Sequence, residues 1–315
     1  MAAEPALEIR SLTKRYGATV AVDTLSFTVP GGSVTGFLGP NGAGKTTTMR
    51  VLLGLAAPTQ GETFVLGRPY VALEQPLHIV GASLEITGFH PGRTARNHLR
   101  IVAIQGGLDT ARVDPVLEAT GMSDVASRRV GGFSFGMKQR LALSAALLGE
   151  PDVLVLDEPA NGLDPAGVAW LRGFLRTFAA GGGAVLISSH ILAEVSEVVD
   201  RVVVIDRGRK LQEGPIGDLT SEGSVVIVRS PDAARLRTAL EADGATVTET
   251  DGGLEVSGVA IERVGELAAR EAVTLHELRT RTVSLESAFL SLTEPRTADA
   301  EPPPLPPAPP RMDEP

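Results

Sequence analysis

The chain has 315 residues, a net charge of -9 and no cysteine. Its length accommodates a large α/β domain and a smaller second one, its charge argues against a general nucleic-acid binder, which presents a basic face, and its lack of thiols excludes disulfides, iron–sulfur clusters and a cysteine nucleophile. Arginine supplies 25 of the 29 basic residues, a skew of composition and not a sign of phosphate binding.

The opening MAAEPALEIR has no basic stretch followed by an apolar one, so no secretory signal is expected. No window approaches 18 uninterrupted apolar residues, so the chain is not expected to cross a membrane itself. Residues 7–9, 20–29 and 33–38 read as strands, with Pro30-Gly31-Gly32 as a turn before the last. Directly after that apolar run stands Gly39-Pro40-Asn41-Gly42-Ala43-Gly44-Lys45-Thr46-Thr47, which fits Gly-x-x-x-x-Gly-Lys-Thr. The spacing predicts a helix over 45–54. Glycines between a strand and a helix let successive N–H groups point at one phosphate, and the helix N-terminus adds partial positive charge. Lys45 then reaches the outer phosphates of a nucleotide such as ATP, and the Thr46 hydroxyl suits a magnesium ligand.

A strand over 61–67 follows. From 91 to 148 the pattern turns helical, with Leu99, Val102 and Ala103, then Val113, Val116 and Leu117, and a helix over 137–148. This predicts a helical insert in a sheet domain. Apolar runs at 153–156, 184–188 and 202–205, separated by helices, read as parallel strands. Asp164-Pro165 is a helix start, with Asp as cap and Pro in the first helical position. The run at 153–156 ends in Asp157 and Glu158. An acid at a strand's C-terminal end can hold Mg2+, directly or through water, and its neighbour can polarise a water against the γ-phosphate. Asp157 is assigned to the metal and Glu158 to the general base.

From about residue 222 the order becomes strand 224–228, helix 231–240, strand 246–250, turn 251–253, strand 254–256, helix 260–270 and strand 273–278. That βαββαβ order is the ferredoxin-like arrangement. The expected organisation is an α/β P-loop nucleotide-binding domain over 1–221, its mixed sheet interrupted by the insert at about 91–148, then an α+β ferredoxin-like accessory domain over 222–293. Residues 294–315, rich in proline, alanine and acids, are expected to form a disordered tail with polyproline character. The accessory unit carries no catalytic constellation. It reads as a packing or dimer-stabilising appendage, with ligand sensing as the alternative.

Phe133-Ser134-Phe135-Gly136-Met137-Lys138-Gln139-Arg140 resembles the signature loop of ATP-binding cassette (ABC) ATPases, usually Leu-Ser-Gly-Gly-Gln followed by a basic residue, Gln and Arg. Ser134 and Gly136 match that pattern; Phe135 and Met137 depart from it. A serine hydroxyl, a glycine amide and a helix N-terminus still make an anion site, although Ser-x-Gly before a helix also serves as a plain N-cap. The resemblance runs in order from residue 7 to about 220. It implies that the signature loop faces the γ-phosphate held by a second subunit, and that Tyr16 stacks on adenine, where a lone strand tyrosine is otherwise core or surface. It also implies that Asn161-Gly162-Leu163-Asp164 is the D-loop coupling two subunits. His190 matches the switch histidine that contacts the γ-phosphate, or is a polar residue at a strand end. The family usually has glutamine where this chain has Glu85; a carboxylate there can bind the metal or a water but adds negative charge near triphosphate.

The segments GASLE, TARNHL, FSFGMKQRL and LESAFLSL are similar to those of bacterial exporter ATPases of the daunorubicin and bacitracin resistance type. The resemblance implies an ATP-hydrolysing homodimer at the cytoplasmic face of the cell membrane, driving an integral-membrane permease for an antibiotic or lipophilic compound, with no nucleic-acid partner. Two rivals remain. A non-transport cassette ATPase acting on ribosomes or nucleic acid would carry paired nucleotide domains, a long coiled coil or a basic arm; a non-hydrolysing ATP-binding regulator would have lost Asp157, Glu158 or His190.

Overall fold

The computed structural model describes residues 4–84, 88–190, 198–217, 225–250 and 253–281. Glu85, the segment LESAFLSL and the expected tail at 294–315 lie outside them. Strands β1 (Leu7–Tyr16), β2 (Thr19–Val29) and β3 (Ser33–Leu38) open the chain, followed by α1 (Lys45–Leu52) and β4 (Gln60–Val65). A short α2 (Pro76–Ile79) leads into β5 (Val80–Ser83), and the insert contributes α3 (Ala95–Gln105), α4 (Val113–Ala119) and α5 (Phe135–Leu147). Then come β6 (Val153–Leu156), α6 (Pro165–Ala180), β7 (Ala184–Ser189), β8 (Arg201–Asp206) and β9 (Arg209–Pro215).

These strands form two sheets. One is three-stranded and antiparallel, in the order β2-β1-β4. The other is six-stranded, in the order β5-β6-β7-β3-β8-β9, parallel throughout except that β9 returns antiparallel to β8. Its central strands β3, β6 and β7 are buried at every position because both faces are covered. On one face Phe37, Val153, Val155, Leu186 and Val203 pack against Met49 and Leu52 of α1 and against Leu7, Ile9, Leu25 and Phe27 of the antiparallel sheet. The rings of Phe27 and Phe37 stand 5.0 Å apart. On the other face Val34, Leu38, Leu154, Leu156, Val185 and Ile187 pack against Leu171 and Leu175 of α6. The helical insert has its own core, in which Leu99 and Ala103 of α3 meet Val116 and Leu117 of α4 and Leu141 of α5.

The sequence reading is corrected in several places. Its first strand stops at residue 9, yet β1 continues to Tyr16: register shifts after Ile9, Leu12 and Lys14 break the alternation that would have revealed it. Two edge strands escaped it altogether. β5 is four residues long, and β9, with the sequence RKLQEGP, is charged and largely exposed, as edge strands commonly are. Helix α5 begins at Phe135 and not at Met137.

Beyond the first sheets lie β10 (Val225–Arg229), α7 (Ala233–Ala242), β11 (Thr246–Thr250), β12 (Gly253–Ser257), α8 (Ile261–Arg270) and β13 (Glu277–Arg281). The sheet order is β11-β12-β10-β13, with every neighbouring pair antiparallel. Val226, Val228, Leu254 and Val256 point to one face, where Leu236, Leu240, Val264 and Leu267 of the two helices cover them.

Candidate active site

Topology assembles the site. Strands β6, β7 and β3 are adjacent and parallel, so the segments that follow them emerge at the same edge of the sheet. These segments are Asp157-Glu158, His190 and the glycine-rich loop. Open parallel sheets place their ligand sites at this carboxyl end.

The loop after β3 is built to leave amides free. Helices α3, α5 and α6 each begin under a side-chain cap, from Thr94, Ser134 and Asp164. Helix α1 begins on Gly44, at φ 104, with no side-chain cap. A Cβ at Gly44 would stand 2.5 Å from the Ala21 carbonyl oxygen, so only glycine fits this bend. The uncapped first-turn N–H groups are the anion-binding feature of a helix N-terminus. Lys45 folds back over the loop: its Nζ donates to the Gly39 carbonyl at 2.6 Å and the Pro40 carbonyl at 3.2 Å, and lies 3.6 Å from Glu158 Oε1. Burial pushes the Lys45 ammonium down from its usual value, while Glu158 and Asp157 oppose that shift.

Thr46 and Asp157 come together across the two strands. Thr46 Oγ1 donates to Asp157 Oδ2 at 2.6 Å. The other Asp157 oxygen accepts from the Ser188 hydroxyl, which in turn accepts the Glu158 N–H at 2.9 Å. A hydroxyl and a carboxylate side by side are donors suited to a hard divalent cation. Among the described residues no cluster of three or more His, Asp or Glu could hold a metal ion. Magnesium at Thr46 and Asp157 therefore fits as an ion that takes its other ligands from phosphate and water, its usual mode beside nucleotides.

Glu158 has a positive φ, 49°, which costs a non-glycine residue about 1–3 kcal/mol. Its carboxylate is held between Lys45 and His190, with His190 Nδ1 at 2.8 Å from Oε2. Its carbonyl accepts from Gln139 Nε2 of α5 at 3.0 Å. Tyr16 ends β1 half exposed, with Lys14 Nζ 4.7 Å from its ring centre. It is therefore a surface aromatic and not a core residue.

The predicted signature segment divides between a cap and a helical turn. Ser134 is the N-cap of α5, its Oγ accepting the Met137 N–H at 3.2 Å, and Phe135, Gly136 and Met137 form the first turn. Ser134, Phe135, Gly136 and Met137 line one groove with Gly162, Leu163 and Asp164. Asp164 caps α6 by accepting the Gly167 N–H at 2.8 Å. Sequence reasoning missed Ser188 and Gln139, two buried polar side chains. The signal for Ser188 was a polar residue at the end of an apolar strand, and that for Gln139 was its place in the signature segment, where no role of its own was assigned to it.

The family model described as ABC transporter matches residues 22–161. The chain belongs to this family. It is an ATPase of the ABC transporter type, and relatives extend the likeness beyond the matched core. The bacitracin transport ATP-binding protein BcrA of Bacillus licheniformis is 42% identical over 216 residues, covering 68% of this chain and 71% of the relative. A Nod factor export ATP-binding protein I of Burkholderia lata is 38% identical over 297 residues, covering 91% and 96%. A solved ATP-binding subunit of an ABC transporter superposes with a TM-score of 0.61 at 30% identity, over 68% of this chain and 91% of that one. Residues 224–286 match a second family, a domain of unknown function (DUF8746).

Proposed function

We propose that this ABC ATPase works as a homodimer at the cytoplasmic face of the cell membrane, where it drives a separate integral-membrane permease that exports an antibiotic or lipophilic compound. The observation that carries this reading is the pairing at the strand ends: Thr46 with Asp157, and Lys45 and His190 with Glu158. These residues bind and cleave a nucleoside triphosphate. The Ser134 and Gly136 groove belongs to the same chain but serves the partner's nucleotide, so one chain supplies half of each composite site. The names of the relatives, bacitracin transport and Nod factor export, support an exporter. No helix among the described residues is long and apolar enough to cross a membrane, which suits a subunit acting beside a permease.

In the proposed cycle, ATP lies on the loop 39–47 with adenine against Tyr16, and its outer phosphates lie against Lys45 and the amides of α1. When bound, Mg2+ at Thr46 and Asp157 neutralises charge developing on the transferred phosphoryl group. Glu158 takes the proton from an attacking water, and His190 orients the Glu158 carboxylate while facing the γ-phosphate. A polyanion between two anion-binding surfaces holds the subunits together, and its hydrolysis lets them part. The accessory unit, placed at 222–293, is proposed as a ferredoxin-like packing or dimer-stabilising appendage; its βαββαβ order and the strand order β11-β12-β10-β13 support that reading.

The test is Glu158→Gln. ATP binding should be retained and phosphate release should fall by roughly 10²- to 10⁴-fold, the usual contribution of a general base. Normal turnover in that variant would refute the assignment.

A further inference from the structure

Both backbone groups of Glu158 bond buried side chains from distant parts of the chain, and its carbonyl also accepts the Asn161 N–H of its own turn at 3.1 Å. Its N–H donates to Ser188 Oγ of β7 at 2.9 Å, and its carbonyl accepts from Gln139 Nε2 of α5 at 3.0 Å. Ser188 is 0% exposed and Gln139 6%. Each has a further bond that fixes it. The Ser188 hydroxyl, with one hydrogen to give, gives it to Asp157 and so can only accept from Glu158. The Gln139 amide also lies 3.5 Å from the Asn161 carbonyl, at the far side of the same turn. Between these two bonds the Glu158 backbone stands at φ 49, a conformation that a residue with a Cβ leaves unless its surroundings over-determine it.

We infer that Ser188 and Gln139 are positioning residues for the base: together they hold the Glu158 peptide in its left-handed turn and so set where its carboxylate stands. The inference rests on the reading of Glu158 as general base. The Asn161 N–H bond closes the turn but does not fix where it sits; release of either side-chain bond lets φ relax toward negative values, which swings the peptide plane and carries the carboxylate away from Lys45 and His190. Misplacing a reacting group by about 1 Å costs on the order of 10²-fold in rate without weakening substrate binding in proportion. Gln139 also stands a little over one turn along the helix that Ser134 caps. A shift of α5, as Ser134 meets the partner's nucleotide, therefore reaches the Glu158 carbonyl through a single side chain.

The experiment measures turnover of the full-length chain against MgATP concentration, with thermal unfolding alongside, for Gln139→Met, Ser188→Ala, Ser188→Thr and Glu158→Gln. Methionine matches glutamine in length and flexibility but has no donor, so the packing around α5 is kept. Gln139→Met and Ser188→Ala should each lower kcat by about 10- to 100-fold, with KM for ATP within about twofold of the parent. Ser188→Thr, which keeps the hydroxyl, should recover most of the kcat lost in Ser188→Ala. Parental kcat in both Gln139→Met and Ser188→Ala overturns the inference, as does a loss confined to KM. If those two variants turn over normally while Glu158→Gln is inactive, the clamp alone falls; if Glu158→Gln itself turns over normally, the base falls and the clamp with it.

Discussion

Replacing Ser134 by aspartate separates two jobs that one exposed hydroxyl is proposed to do. The first is structural: Ser134 Oγ accepts the Met137 N–H at 3.2 Å and caps α5. Aspartate caps a helix as well as serine does, so Ser134→Asp should leave folding stability nearly unchanged, whereas Ser134→Ala should cost about 1 kcal/mol, roughly 2–4 °C in Tm for a chain of this size. The second job is to face the γ-phosphate held by the partner subunit. There a carboxylate meets like charge: two unit charges about 5 Å apart, at an effective dielectric near 20, repel by about 3 kcal/mol, or roughly 10²-fold in turnover. Phosphate release against MgATP concentration, with light scattering to follow nucleotide-driven pairing and thermal melts to follow stability, measures both jobs at once. The expected result for Ser134→Asp is an unchanged melt with turnover and pairing suppressed. A Ser134→Asp chain that hydrolyses ATP and pairs as the parent does would reduce Ser134 to a helix cap and remove the composite site.

Thr46→Val deletes the hydroxyl that bonds Asp157 at 2.6 Å while keeping the side-chain shape. The magnesium concentration needed for half-maximal turnover should rise by about 10-fold or more, and an unchanged requirement would remove Thr46 from the metal site. Burial, with Arg93 adding to it, holds the His98 imidazole below its ordinary value, so the unfolded chain takes up the proton first as pH falls. The associated stability is present above the ordinary histidine value of about 6.5 and is lost as pH drops from there toward the lower folded value. His98→Phe keeps a ring beside Phe89, whose centroid lies 4.9 Å away, and should flatten Tm against pH between about 7 and 5; parallel curves for the two chains would refute this.

What was legible in the sequence is what is local. The loop 39–47 carries its chemistry in consecutive residues, Asp157 and Glu158 close a four-residue apolar strand, and Asp164-Pro165 starts a helix by its own geometry. Strands 33–38 and 153–156 matched to the residue because both are buried throughout and end where the chemistry changes abruptly, at Pro30-Gly31-Gly32 and Gly39 for the first and at Asp157 for the second. Contacts between segments were not legible. Nothing near Ser188 in sequence says that its hydroxyl will stand between Asp157 and the Glu158 amide; that follows from β7 lying beside β6 in parallel register, with Leu156 opposite Ile187. Gln139 is legible as part of the signature segment, but its bond to the Glu158 carbonyl follows only from α5 packing against the turn that contains Glu158. Strand β9 stayed hidden because an edge strand of charged residues has no buried face to show.

The departure at Phe135 makes physical sense once the neighbouring turn is taken with it. Phe135 is half exposed, and its ring lies where a side chain on Gly162 would have to be. Gly162 adopts φ 70, so that turn is glycine for two reasons: the backbone requires it, and the phenylalanine fills the space above it. Bulk that the usual signature pattern lacks at position 135 is thus accommodated by the Asn161-Gly162 turn of the same chain. A Cβ on Gly136 would come within 3.2 Å of the Leu163 side chain, so the next helical position is tightly packed against the same loop. The aromatic ring therefore packs against the turn, and Ser134 and Gly136 still line the groove, as the proposed anion-binding role requires. The substitution changes how the signature segment is braced while keeping the groups it presents.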